Sequence, residues 1–175
     1  ERAELLAGEA LEHAEDLFPR VRLRELQVLL ITAQDRNAAA IDAGLDALAE
    51  LDCALPSEPA AVEVFAAEQQ RKLSAAVGRI EELAGLPTMT DPAHLAGMRV
   101  LMHLTVPAQQ TNPALLKAII AGMVLLSVHH GNSPMAAFAY GWQGALLCGG
   151  DGEIDAGYRY GRLSLEVLRR FHSPE

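Results

Sequence analysis

The sequence predicts an all-α fold of antiparallel helix pairs stacked in series, and three observations predict it. Half of the 175 residues are hydrophobic but only 5% are aromatic, so alanine and leucine carry the apolar content. That bias suits closely packed helices better than sheets. From Asn112 onward the chain reads helix, turn, helix, turn, helix, each turn marked by glycine, asparagine, serine or proline. Small residues recur at i, i+4, i+7 in two places, Ala40, Gly44, Ala47 and Gly157, Gly161, Ser164, 117 positions apart. This spacing puts each set on one helix stripe. A helical glycine costs about 1 kcal/mol against alanine, so close approach of a neighbouring backbone is the expected reason for the stripes. On that reading Gly161→Leu pushes the last two helices apart.

Taken in order, residues 1–17 predict a helix with Leu5, Leu6, Ala10, Ala14 and Leu17 on one stripe, ended by Phe18-Pro19. A second helix covers 20–35 through Leu23, Leu26, Leu29, Leu30 and Ala33, and Asp35-Arg36-Asn37 turns the chain. Residues 38–51 form the third, closed by the proline-rich loop at 54–59. Residues 60–77 predict a helix with Val62, Phe65, Ala66 and Leu73 inward, and a short helical turn follows at 79–84. Thr90 or Asp91 is placed to cap a helix over 92–104, with Leu95, Met98, Leu101 and Met102 apolar, and 106–111 reads as a connector. Asn112-Pro113 and Ser133-Pro134 each combine a capping side chain with a proline preset for the first helical turn. Gly131 and the Gly149–Gly152 run supply the stops. The organisation expected is one helical-repeat domain over 1–175: a first repeat region at 1–56, irregular middle helices at 57–111 and a last repeat region at 112–175.

The formal charge of −9 is uneven: residues 1–87 hold 8 Lys+Arg and 17 Asp+Glu, and residues 88–175 hold 6 of each. An acidic half argues against nucleic acid as partner, because phosphates reward clustered Lys and Arg. Cys53 and Cys148 are too few and too far apart for a disulfide framework and are expected reduced on packed faces, which fits a cytoplasmic chain. The most apolar run, 115–128, contains Lys117 and falls short of the roughly 20 residues of a membrane span, so a buried helix is expected there. No signal peptide is visible, and an opening Glu1 in mid-pattern reads as a piece of a longer protein.

No constellation carries catalysis, and no metal or cofactor site is expected. Adjacent His129 and His130 point about 100° apart on a helix and lack a partner at zinc-ligand spacing. They suit the negative end of their own helix instead. A hydrolase would need His94, His103, His129 or His130 to converge with a carboxylate. Asp151, Glu153 and Asp155 fit a helix start better than a calcium loop, since the glycine and bidentate glutamate of such a loop are missing. The Gly149–Gly152 run lacks the lysine and hydroxyl of a phosphate loop. Two groups remain as a candidate partner or ligand surface. Arg159, Arg162 and Arg169 share a face of the last helix, either solvated and partly paired with Glu166 or docking an acidic partner, including the acidic half of another copy. Tyr140, Trp142, Tyr158 and Tyr160 either fill the core or line a ligand groove.

The helix, short turn and small-residue second helix resemble a tetratricopeptide repeat. The text LPTMTDP at 86–92, NPALL, MVLLSVHHGNSPMAAFAYGWQG and GYRYGRLSLEVL further resembles the helical-repeat segment of large bacterial signalling proteins of the STAND ATPase type. The likeness covers roughly residues 20–171 and is best over 86–171. In those proteins a serine/threonine-kinase-like domain and an AAA-like ATPase precede the repeats, and a GAF and sensor histidine kinase module often follows. The resemblance implies a non-catalytic interaction or regulatory module that contacts a protein, a peptide or other domains of its own chain, with a homodimer possible. The alternative is an effector-sensing domain that holds a small molecule in its concave groove. Neither nucleic acid nor a membrane is an expected partner.

Overall fold

Four helices of this protein open on a cap followed by proline, and these pairs set its phrasing. A computed structural model describes residues 2–172, apart from the side chains at 3–5, 12 and 151. Its helices are α1 (Arg2–His13), α2 (Leu17–Thr32), α3 (Asn37–Glu50), α4 (Pro59–Ala76), α5 (Pro92–Thr111), α6 (Pro113–His130), α7 (Pro134–Leu146) and α8 (Ile154–His172). A 3-10 turn spans Ile80–Gly85 and a π turn Leu147–Asp151. Glu58 caps α4 by accepting from Ala61 N, and Asp91 caps α5 by accepting from Ala93 N and His94 N, all at 2.9 Å. Asn112 both ends α5, donating its N–H to Ala108 O at 2.8 Å, and starts α6, accepting from Leu115 N at 3.0 Å. One residue thus serves as the whole link between two long helices.

α6 occupies the centre, which explains its composition. It packs against α5, α4 and α7, so it buries apolar side chains around much of its circumference, from Leu115 to Leu125. Among the described residues it is the one helix apolar and long enough to cross a bilayer, and here it serves as a core helix. The other helix contacts run α1 on α2, α2 on α3, both α2 and α3 on α5, α5 lightly on α7, and α7 on α8. α4 leaves this order: it lies on α6, one helix further along the chain than a simple meander would place it.

Several boundaries and faces differ from expectation. Phe18-Pro19 does not end the first helix but lies in the first turn of α2, where a proline displaces no intrahelical N–H. α5 runs through Pro107 to Thr111, so 106–111 is helix and not connector; Pro107 lacks only the N–H that would return to His103 O. The middle region therefore holds two long, regular helices. α2 buries Val21, Glu25 and Val28, leaving Leu26 and Leu29 more than 40% exposed. α1 ends at His13, buries Ala7 and leaves Leu6 out; Leu17 opens α2, also exposed, and the Leu5 side chain lies outside the described residues. Ser133 stands at the cap position of α7, but its buried Oγ has no partner. Cys148, expected on a packed face, is exposed.

The small-residue stripes lie where helices approach closely, through Gly44 and Gly157 as expected but not through Gly161. A Cβ on Gly44 would collide with Leu104 of α5, so the first stripe faces α5 and not its hairpin partner α2. Between α7 and α8 the tight positions are Gly144, whose Cβ would stand 2.7 Å from Gly157 O, and Gly157, whose Cβ would stand 2.7 Å from Gly144 O. A Cβ on Gly161 meets nothing within 4 Å, which overturns the expectation for that residue. Overpacking against backbone typically costs about 1–3 kcal/mol. Gly144→Ala is expected to lose stability in that range, whereas Gly161→Ala is neutral or gains up to about 1 kcal/mol from helix propensity. Denaturant unfolding of the two variants measures this, and an equal response would remove the close-approach account.

Candidate functional site

The carboxyl-terminal helices are fixed by a polar tie that has no exposure to water. After α6, Gly131 adopts φ 98°, and a Cβ there would strike Pro87 O. This lets two loops lie side by side: Asn132 N donates to Pro87 O and Met89 N donates to Asn132 O, both at 2.7 Å. The Asn132 side chain is buried as well, donating from Nδ2 to Leu83 O at 2.7 Å and accepting from the Tyr140 hydroxyl at 2.8 Å. Arg170 of α8 reaches the same segment, with Nη1 donating to Ala84 O and Leu86 O and Nη2 to Thr88 Oγ1.

This arrangement separates the four aromatic candidates. Tyr140 and Tyr160 are 0% and 5% exposed, so they belong to the core and not to a ligand or partner surface. Burial pushes both phenols up, Tyr160 to about 12. Trp142 lines an open groove of about 450 Å³ between α7 and α8 with Phe138, Gly141, Ser164 and Leu168. Tyr158 is exposed elsewhere, beside Arg162, Leu165, Glu166 and Arg169. A single cavity ringed by all four does not form.

The arginines also divide. Arg159 pairs with Glu81 and not Glu166: Nε and Nη2 donate to the two carboxylate oxygens at 2.6 and 2.8 Å. Those hydrogen bonds, then one from the backbone, hold the Glu81 carboxyl down to about 2. Arg162 and Arg169 stay on the outer face of α8 and line one shallow depression.

Three groupings were not legible from spacing. His94 of α5 stacks on His130 of α6 with centroids 3.6 Å apart, and His129 meets His130 edge-on. Asp91 stands beside them, 3.4 Å from His94 Nδ1, but its carboxylate already caps α5. Among the described residues no group of His, Cys, Asp and Glu is arranged to hold a metal ion. The second grouping is Glu25, fully buried, accepting from Arg22 of its own helix and from Arg99 Nε of α5 at 3.0 Å. The third is a cavity of about 300 Å³ bounded by α4, α6 and α7, with Glu63, Gln70, Lys117 and Gln143 among its walls.

No protein-family model, curated protein or solved structure matches the chain.

Half-buried His103 stands in the field of Glu25, Arg22 and Arg99. Burial lowers its pKa first, the two arginines lower it further, and Glu25 opposes them. The neutral ring is therefore the one the fold favours. A base whose pKa is lower folded than unfolded contributes a penalty absent above its unfolded pKa of about 6.5, which grows as pH falls toward the folded value. His130 is shifted in the same direction, by desolvation and then by His94 and His129, against Asp91. Unfolding free energy is expected to fall between pH 7.5 and pH 5, and His103→Gln to flatten that slope. Denaturant titrations at both pH values check it, an unchanged slope in the variant being the contrary result.

Proposed function

We propose that this chain is a non-catalytic helical-repeat module that mediates protein–protein or interdomain contacts, tetratricopeptide-like in its stacking. The order of helix contacts supports the stacking. Pairs α2/α3, α5/α6 and α7/α8 each pack internally, and the first helix of a pair touches both helices of the pair before it for α5. For α7 the same pattern holds with α6 and, more lightly, α5. On this reading α1 extends one end and α4 is an insertion laid on α6.

The observation that carries the function is that apolar side chains lie uncovered at both ends of this packing order. At one end Leu6, Leu17, Phe18, Leu26 and Leu29 are 41–57% exposed. At the other, α8 exposes Leu168 (41%) in the Trp142 groove and Leu165 (52%) in the depression that holds Arg162 and Arg169. In a repeat array each unit buries its faces against neighbours, and true ends are polar. The charges are complementary too: the α8 face carries Arg162 and Arg169, while residues 1–87 carry 8 basic against 17 acidic residues. The occupant of each end is therefore a surface like the other, on a second copy or on the continuation of a longer array. The likeness to repeat segments of STAND-type signalling ATPases extends the proposal, with the module coupling an upstream ATPase or kinase region to an output domain.

Head-to-tail contacts of this kind build open chains, or rings where the rotation closes, and grow with concentration. Light scattering of the 175-residue chain is expected to show concentration-dependent association that weakens with salt. Leu168→Glu, Arg162→Glu or both should suppress it. A monomer at every concentration and ionic strength would sink the end-to-end reading.

A further inference from the structure

We propose that the outer face of α8 is a docking seam for helix α1 of a second copy of this chain. The inference rests on the end-to-end reading above and names the two helices that make the contact.

α8 has two apolar faces. The inner one, Gly157, Tyr160, Leu163 and Val167, is buried where the helix packs on α7 and the 3-10 turn. The outer one runs Ile154, Tyr158, Gly161, Leu165 and Leu168. Its steps of four, three, four and three keep one stripe against a second helix, as in a coiled-coil seam. Ile154 and Tyr158 are 67% and 65% exposed, and Leu165 and Leu168 continue the same open stripe. Gly161 stands at its middle. A helical glycine is unfavourable against alanine, and here an added Cβ meets nothing within 4 Å. The chain's own packing therefore makes no use of that space, whereas a helix crossing at Gly161 would.

Charge and shape choose the occupant. One flank of the seam carries Arg159, Arg162, Arg169 and Arg170 against Glu166 and the Glu81 that Arg159 holds, so it is net basic. Residues 1–16 hold six acidic residues and one arginine. In α1, Leu6 is exposed, and Ala10 and His13 follow it at steps of four and three, exposed as well. Ala10 is the small residue of that stripe as Gly161 is of the other. Crossed there in opposite directions, the two helices bring Leu6 to Leu165 and exposed Glu9 beside Arg162, with their dipoles favourably opposed. The lengths agree: the 12 residues of α1 extend about 18 Å, and the seam from Ile154 to Leu168 about 21 Å. α2 is the poorer match, since Arg20, Arg22 and Arg24 would set arginine against arginine, as would a second α8.

Disulfide trapping in the full chain tests the pairing, with Cys148→Ser removing the exposed native thiol. Leu6→Cys and Leu165→Cys are made on separate copies, mixed, and oxidised mildly at a concentration where light scattering shows association. The mixture is expected to cross-link roughly tenfold faster than either variant alone, or than Leu29→Cys mixed with Leu165→Cys. Leu6 and Leu165 are both more than half exposed, so their replacement leaves the fold intact. Gly161→Leu should weaken association about tenfold while the dilute chain melts no lower than the parent, because the new side chain obstructs only the second copy. Leu165→Cys cross-linking as fast by itself would show α8 against α8, and a faster Leu29→Cys pair would show α2; either overturns the proposal. So does unchanged association in Gly161→Leu. If the chain associates but no pair is trapped preferentially, this inference fails and the end-to-end reading stands. If the chain stays monomeric throughout, both fall.

Discussion

Asn132 has no exposure to water, and its backbone N–H, its backbone carbonyl, its amide nitrogen and its amide oxygen each make a hydrogen bond. Those four bonds join segments distant in sequence: the 3-10 turn at Leu83, the loop at 87–89 and α7 at Tyr140. Any one of them, lost in a buried place, leaves a polar group without water to replace its partner, at about 1–3 kcal/mol. The site is consequently close to all-or-none. It also depends on Gly131, because only a residue without Cβ lets the α6 terminus lie against Pro87 O at positive φ. The position of α8 follows from the same tie: Arg170 reads the carbonyls of the segment Asn132 holds, and Arg159 fixes the adjoining Glu81. The outer face of α8 is thus displayed by contacts made on its inner side.

How far the sequence disclosed this differs by the kind of signal. Helix starts were legible where a cap precedes proline, because both act within one turn. Asp91 and Asn112 behave as their chemistry dictates. Ser133 does not, because its hydroxyl is buried away from the N–H groups it would serve. Stops were less legible: the sequence reads as a helix over 92–104 and a connector at 106–111, but flanking packing of Leu104 and Ala108, both fully buried, carries α5 through Pro107 to Thr111. Burial outweighs one absent hydrogen bond.

Faces were legible only where one stripe was unambiguous. α4 buries Val62, Ala66 and Leu73 as its periodicity indicates. α2 carries leucine and valine on more than one side, so periodicity could not choose among them. The face actually buried contains a glutamate, Glu25, made tolerable by Arg99 from a helix 74 residues away. A buried carboxylate is stable there only while paired, and no local pattern reports a partner at that distance. The stacking of His94 on His130 was hidden for the same reason.

The cavity follows from this departure from chain order. α4 and α7 both pack on α6 but hardly on each other, so the wedge between them is lined on three sides and filled by neither. In a regular series of pairs, the next first helix would occupy such a wedge with apolar side chains. Here the wedge stays open instead: Glu63 of α4 and Lys117 of α6 stand exposed at its rim, Gln70 is half-buried, and of its polar residues Gln143 of α7 alone is buried, so the seam is bounded by solvated charge where apolar packing would have closed it.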